Sequence, residues 1–271
     1  MRQYFVTLLI CLAAAFVNAQ ALRYPMPADY VALSAYSSAQ PDAFGFTNNQ
    51  AALAGLDELS FGVYGERKFM LAATSLYTGA VAIPSGQGNF GFNLKYSGFG
   101  NFSESQVGAA YAKRLSNKID MGVQFNYCGY RVPGYLRSHA ATVEIGAMVH
   151  LNAKLNVGLH VFNPIGGNFS KAEEKLASAY KVGIGYDPSD QVFVAAEIFQ
   201  QEGCPLAVNA GLQYQFEQQF FLRIGVATGS RSGYAGAGVC WKNLRLDVTV
   251  GYHAQLGISP GLMLISGLRK K

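Results

Sequence analysis

Beyond its first nineteen residues the chain has no apolar run of the twenty or so residues that a membrane-crossing helix needs. Any crossing of a bilayer would therefore fall to strands closed into a barrel, the other structure that leaves no backbone polar group bare in lipid. Charge is scarce as well. Asp, Glu, Lys and Arg make up 14% of the chain, whereas a soluble domain carries about a quarter. The excess of five positive charges is spread along the chain without a basic run, so no nucleic-acid partner is expected. Cysteine is rare too, four in all: beyond Cys11 in the first nineteen residues, Cys128, Cys204 and Cys240 are an odd set without CxxC or zinc spacing. They read as small apolar fillers or a chance pair, not as metal ligands or a disulfide framework.

Catalytic signatures are also missing. There is no HExxH, P-loop or dinucleotide fingerprint. Gly257 to Gly261 matches G-x-S-x-G, but only ten residues follow it and none is Asp or His, as a nucleophile elbow would require. A triad assembled from separate strands is the remaining enzymatic route and is disfavoured. No cofactor, metal or catalytic residue is expected. His150, His160 and His253 share one face of the pattern but lie on separate strands without metal spacing, and read as hydrogen-bonding groups.

What is present begins with a leader. Arg2 precedes the apolar run Phe5 to Val17, and Val17-Asn18-Ala19 puts small residues at −3 and −1 of a cut before Gln20. That is the order of a secretory signal. Cys11 would suggest lipidation, but Ile10 stands where a small residue is needed. Residues 20–58 then mix Pro, Ser and Ala without a clean period. Their apolar content (Tyr30, Leu33, Phe44, Phe46, Leu53) points to burial, as a plug, hatch or periplasmic segment.

From Leu59 the pattern has period two. In Asn243 to His253, Leu244, Leu246, Val248, Val250 and Tyr252 alternate with Arg245, Asp247, Thr249, Gly251 and His253. Such runs predict about fourteen strands, near 59–66, 70–83, 88–98, 103–115, 118–131, 137–151, 154–162, 177–187, 191–200, 205–216, 218–228, 232–241, 243–253 and 261–269. The predicted connections are alternately short (Ser116-Asn117, Asn152-Ala153, Glu217, Lys242) and longer (132–136, 163–176, 254–260). An even strand count and two-sided loop lengths fit an all-β, transmembrane antiparallel barrel. A soluble sandwich is the competing reading, because alternation alone fits both. Strands of nine or more residues favour the membrane. So do aromatics near strand ends, such as Tyr96, Tyr127, Tyr186, Phe216, Trp241 and Tyr252.

Two motifs carry a family resemblance. Asp42-Ala43-Phe44 followed by Asn49-Gln50-Ala51-Ala52-Leu53-Ala54 resembles the N-P-A-[GA]-L-A signature before the first strand of FadL-like barrels. Tyr252 to Pro260, with Gln255, Leu256, Gly257, Ser259 and Pro260 as a last outer loop, is similar to the PorV/PorQ-type branch of Bacteroidetes. The first motif implies an N-terminal plug carried by Asp42, Asn49, Ala51, Ala52 and Leu53. The branch implies a scaffold or partner in protein export or surface assembly. The chain departs from the pattern at Gln50, where the family has Pro. It is also shorter than a fatty-acid transporter, and it ends Leu268-Arg269-Lys270-Lys271 without a terminal aromatic.

The register turns ten ionisable residues inward: Glu66, Lys95, Glu104, Arg114, Glu144, Lys181, Glu197, Arg223, Arg245 and Asp247. Five are acidic and five basic. A sign-selective pore would carry a ring of like charges; a balanced set predicts internal pairing. Three readings follow: a closed export scaffold, a small plugged channel for hydrophobic or small solutes, and a barrel enzyme. The expected partners are outer-membrane lipid and, for the scaffold, other envelope or secretion proteins. Oligomeric state stays open.

Overall fold

The computed structural model describes residues 33–100, 102–134, 136–166, 176–217 and 219–267; the leader lies outside them. Among the described residues fourteen antiparallel strands close into a barrel in sequence order, with the first strand paired to the last. They are β1 (Ser60–Arg67), β2 (Ser75–Ile83), β3 (Asn89–Phe99), β4 (Phe102–Ser116), β5 (Ile119–Val132), β6 (Leu136–Asn152), β7 (Leu155–Phe162), β8 (Ala179–Ser189), β9 (Val192–Gln201), β10 (Ala207–Phe216), β11 (Phe220–Ala227), β12 (Ser232–Trp241), β13 (Leu244–His253) and β14 (Gly257–Ser266).

The pleat decides which side is which. On β3, Phe90, Phe92, Leu94 and Tyr96 stand 41–57% exposed, while Asn93 and Lys95 between them are 3% and 2% exposed. On β13, Leu246, Val248 and Val250 face out, and Arg245, Asp247 and Thr249 face in. The outside is apolar and the inside polar, the reverse of a soluble sheet and the arrangement of a membrane barrel. A soluble monomer rarely bares a contiguous apolar patch of more than a few hundred Å², and here the apolar face runs round the wall. Aromatics edge that face at both ends, with Trp241, Phe216 and Tyr186 on the side of the short turns and Tyr127, Tyr180 and Tyr252 on the other.

Strand ends depart from expectation in two places. The second strand starts at Ser75, not near residue 70, because Phe69 and Met70 adopt φ of 54° and 59°. Left-handed residues cannot extend a ladder, so Lys68–Met70 and Ala72–Thr74 form short 3-10 turns instead. The last strand starts at Gly257, not near residue 261. Gly257, Ser259 and Pro260 are therefore strand residues paired with His253, Gly251 and Val250, and only Ala254 to Leu256 turn. Pro260 argued for a loop. It is tolerated because the β1 ladder on its other side ends at Glu66–Gly261, and proline is accepted where a strand has a free edge. The Phe69 N–H donates to Ser259 Oγ at 2.9 Å there. The long connection between β7 and β8 is as expected, although its charged residues Lys171, Glu173, Glu174 and Lys175 lie outside the described residues. Cys128, Cys204 and Cys240 are all free thiols.

Candidate functional site

Residues 33–58 lie against the inner wall. They form three short 3-10 turns, Leu33–Tyr36, Gly45–Thr47 and Gln50–Gly55, and Leu33, Tyr36, Phe44, Phe46 and Leu53 are each 2% exposed or less. The wall makes room for them with inward glycines. A Cβ on Gly62 would come within 2.5 Å of the Phe44 ring, one on Gly122 within 2.5 Å of the Gln50 backbone, and one on Gly158 within 2.5 Å of the Tyr36 ring. Gly183 and Gly185 enclose Tyr36 from the next strand. These glycines serve as clearances: any side chain there would occupy the space of the segment.

Two buried carboxylates anchor the segment. Glu197 Oε2 accepts from Tyr36 OH and from Asn48 Nδ2, both at 2.9 Å, while its Oε1 accepts from Asn209 Nδ2 at 2.9 Å. Glu144 Oε2 accepts from Gln50 Nε2 at 2.7 Å and meets His160 Nε2 at 2.9 Å. Its Oε1 accepts from Asn126 at 2.7 Å and Gln124 at 3.2 Å. Lys181 donates to Asn48 Oδ1. Asn49 spans a seam: its Oδ1 caps Ala51 N at 3.0 Å, and its Nδ2 donates to Ala147 O and Leu159 O, each at 3.2 Å. At Gln50, where the family motif has Pro, the amide is used to reach Glu144. Ala51 is fully buried, and the carbonyl of Leu53 accepts from Asn89 Nδ2 at 2.7 Å.

Asp42 sets the turn before this cluster. Its Oδ1 accepts from Phe44 N at 2.9 Å and Gly45 N at 3.0 Å. Burial pushes its carboxyl above the ordinary carboxylate range, against a smaller opposing pull from Arg245. A raised native value means that the folded protein holds the proton longer than the unfolded chain. Stability therefore falls as pH rises from about 4 through the native value. Asn at this position keeps the acceptor oxygen and removes the buried charge. In thermal unfolding in detergent at pH 8, Asp42→Asn is expected to match or exceed the native protein. Asp42→Ala, which strands the Phe44 amide and leaves Gly45 N only the Asp42 carbonyl at 3.2 Å, should lose about 1–3 kcal/mol. Equal loss in both variants would refute this account of Asp42.

All ten ionisable residues read as inward-facing do face inward. Lys95, Glu104, Glu144, Lys181, Glu197, Arg223, Arg245 and Asp247 are at most 6% exposed, and Glu66 accepts from Tyr64 OH at 3.0 Å. Arg114 is half exposed at the short-turn end, where it grips Asp120 through Nε at 3.0 Å and Nη2 at 3.3 Å. Asp120 also meets His150 Nε2 at 2.9 Å. His150 Nδ1 contacts Asn156 Oδ1 at 2.7 Å, and Asn156 Nδ2 donates to Tyr36 O and Ser38 Oγ. This relay borders a cavity of about 490 Å³ between the segment and β4–β7. Asp120, Gln124, Asn126 and Asn156 were not singled out as candidates from sequence. Their signal lies in the same alternation, on its polar, inward phase. His253 stays apart, its Nδ1 accepting from Gln255 and Leu256 N–H across the turn.

A closed fourteen-stranded antiparallel barrel with a polar interior has the fold of outer-membrane channels. In particular, it is similar to CymD, a monoaromatic hydrocarbon channel, with TM-score 0.59 and 12% identity over 84% of this chain and 93% of that one. It is similar to the Pseudomonas putida toluene transporter TodX, with TM-score 0.59 and 9% identity over 86% and 96%. It is also similar to a Pseudomonas aeruginosa FadL homologue, with TM-score 0.57 and 10% identity over 90% and 99%. The sequence matches no protein-family model and no curated protein.

Proposed function

We propose that this protein is a non-enzymatic outer-membrane channel or transporter for hydrophobic or small solutes, closed at rest by residues 33–58. One observation carries the reading. The segment is seated by side-chain hydrogen bonds and glycine clearances, with no strand pairing to the wall, so it can leave without opening the barrel. The likeness to hydrocarbon and toluene channels supports this choice over the export scaffold at the level of fold. The scaffold reading draws on a different observation, the dense pairing around Glu144, Glu197 and Asp247, which suits a lumen that never opens.

Planar-bilayer recording separates the two. The intact protein is expected to pass little current, and deletion of residues 21–56 to yield stable open steps. Silence before and after deletion, from protein that has inserted, would leave only the scaffold.

A further inference from the structure

Most charges in the described wall face inward, but one outward pair does not fit a purely apolar exterior. Arg131 on β5 and Arg137 on β6 lie directly opposite each other in the register, both exposed on the outer face at the end away from the short turns. Like charges placed across a rung repel. Among the described residues neither guanidinium has a carboxylate within ion-pair reach, and Glu104, the acid nearest in register, is buried in the lumen. The flanking outward position on β4 is Ser103, paired with Arg131, and carries no charge.

The order of side chains below this pair is informative. One outward rung down, exposed His139 stands opposite Gly129, and its ring stacks on Tyr127 with centroids 5.3 Å apart and an interplanar angle of 15°. Below Tyr127 the face is apolar, with Phe125 63% exposed. Cation, aromatic and hydrocarbon therefore follow each other along a single stripe. A lipid presents the complementary order of phosphate, glycerol or sugar, and acyl chain. Two guanidinium forks on adjacent strands suit the tetrahedral oxygens of a phosphate.

We propose that Arg131 and Arg137, with His139 below them, form a binding site for the phosphate of a lipid headgroup in the leaflet at the loop end of the barrel. This rests on the membrane reading above. The continuity of the stripe with the acyl-facing wall argues for a lipid over free phosphate or an acidic protein, neither of which would use Tyr127 and Phe125.

The test uses the protein in phosphatidylcholine nanodiscs doped with lipid A carrying both phosphates, or with the same lipid after phosphatase treatment. Retained lipid per barrel is read by native mass spectrometry. The diphosphorylated form should be retained and the dephosphorylated form lost. Arg131→Gln/Arg137→Gln should weaken retention about thirty-fold, at roughly one kcal/mol per basic residue near a charged surface, and Arg131→Lys/Arg137→Lys should keep much of it. Equal retention by native and Gln variants, or of both lipid forms, would overturn the site. Displacement by millimolar inorganic phosphate would overturn the lipid as its occupant. Failure to insert, seen as a missing heat-modifiable band on gels, would overturn the membrane reading and this proposal with it.

Discussion

Gly183→Val is expected to drive Tyr36 out of the wall and to free the start of the inner segment while leaving the barrel closed. The Cβ of any residue there would fall within the Tyr36 ring, whose Cζ, Cε2 and Oη are its nearest neighbours. Tyr36 has little room to step aside, since it also lies against Gly158 on β7, where an added Cβ would meet its ring edge, and against Gly185 on β8, where one would meet its Cβ and carbonyl. Expulsion forfeits a fully buried aromatic, worth roughly 3–5 kcal/mol when removed from a core. It also breaks a hydrogen bond to a buried carboxylate, worth about 1.5–3 kcal/mol. The β7–β8 ladder uses backbone groups on either side of Gly183 and does not need the ring. Hydrogen exchange should therefore rise over residues 33–40, with the strands still protected and the heat-modifiable gel shift retained. Gly79→Ala is the control, because its nearest atom would be the Gly62 carbonyl at 4.0 Å. Tyr36→Ala should release the same stretch, and adding Gly183→Val to it should change little, the non-additivity of a shared contact. Full additivity of the two would sink the steric account.

How far all this could be read in advance depends on the kind of signal. Alternation along β13 or β3 has a period of two residues, and one slip would reverse every face. Once the barrel was inferred, the inward position of Lys95, Glu144 and Asp247 followed. Partners did not follow, because a strand's neighbour across the lumen is set by curvature and by whatever fills the interior. Glu144 with Gln50, and Glu197 with Tyr36 and Asn48, join positions 94 to 161 residues apart. The glycines at 62, 122, 158 and 183 sit on the polar face mid-strand, where glycine ordinarily weakens a strand. Their cost makes sense only with the segment in place. The start of β14 is not legible in the sequence for a local reason: Ser259-Pro260 has turn chemistry, and the ladder gap that accommodates it is a property of β1.

The second large effect is expected at Asp247, a buried carboxylate that meets two buried guanidinia. Arg245 grips this carboxylate twice, Nε to Oδ1 at 2.9 Å and Nη2 to Oδ2 at 2.6 Å, and lies over the Phe221 ring at 4.2 Å. Arg223 brings Nη1 to 3.2 Å from Oδ2. That contact is Coulombic without hydrogen-bond alignment, for both terminal nitrogens of Arg223 lack an aligned acceptor, and its Nε is taken by Gln213. One anion thus serves two buried cations, Arg245 on its own strand and Arg223 from β11 on the far side of β12. Asp247→Ala removes the ion-pair partner of both and leaves Arg245 only its weaker Coulombic contact with Asp42, and removing one partner of a buried ion pair costs about 3–5 kcal/mol. Repulsion between the two guanidinia adds to that, and Arg245 is buried with the Phe221 ring over its guanidinium. Asp247→Asn keeps an acceptor but not the charge and should fall between. If the penalty comes from stranded cations and not from lost packing, Asp247→Ala/Arg245→Met should recover part of it, since losing both partners is milder than losing one. Urea titration of the barrel in lipid vesicles reads all three. An Asp247→Ala protein within about 1 kcal/mol of native, at the level of an exposed ion pair, would mean that water reaches Arg223 and Arg245 and that this part of the lumen is open.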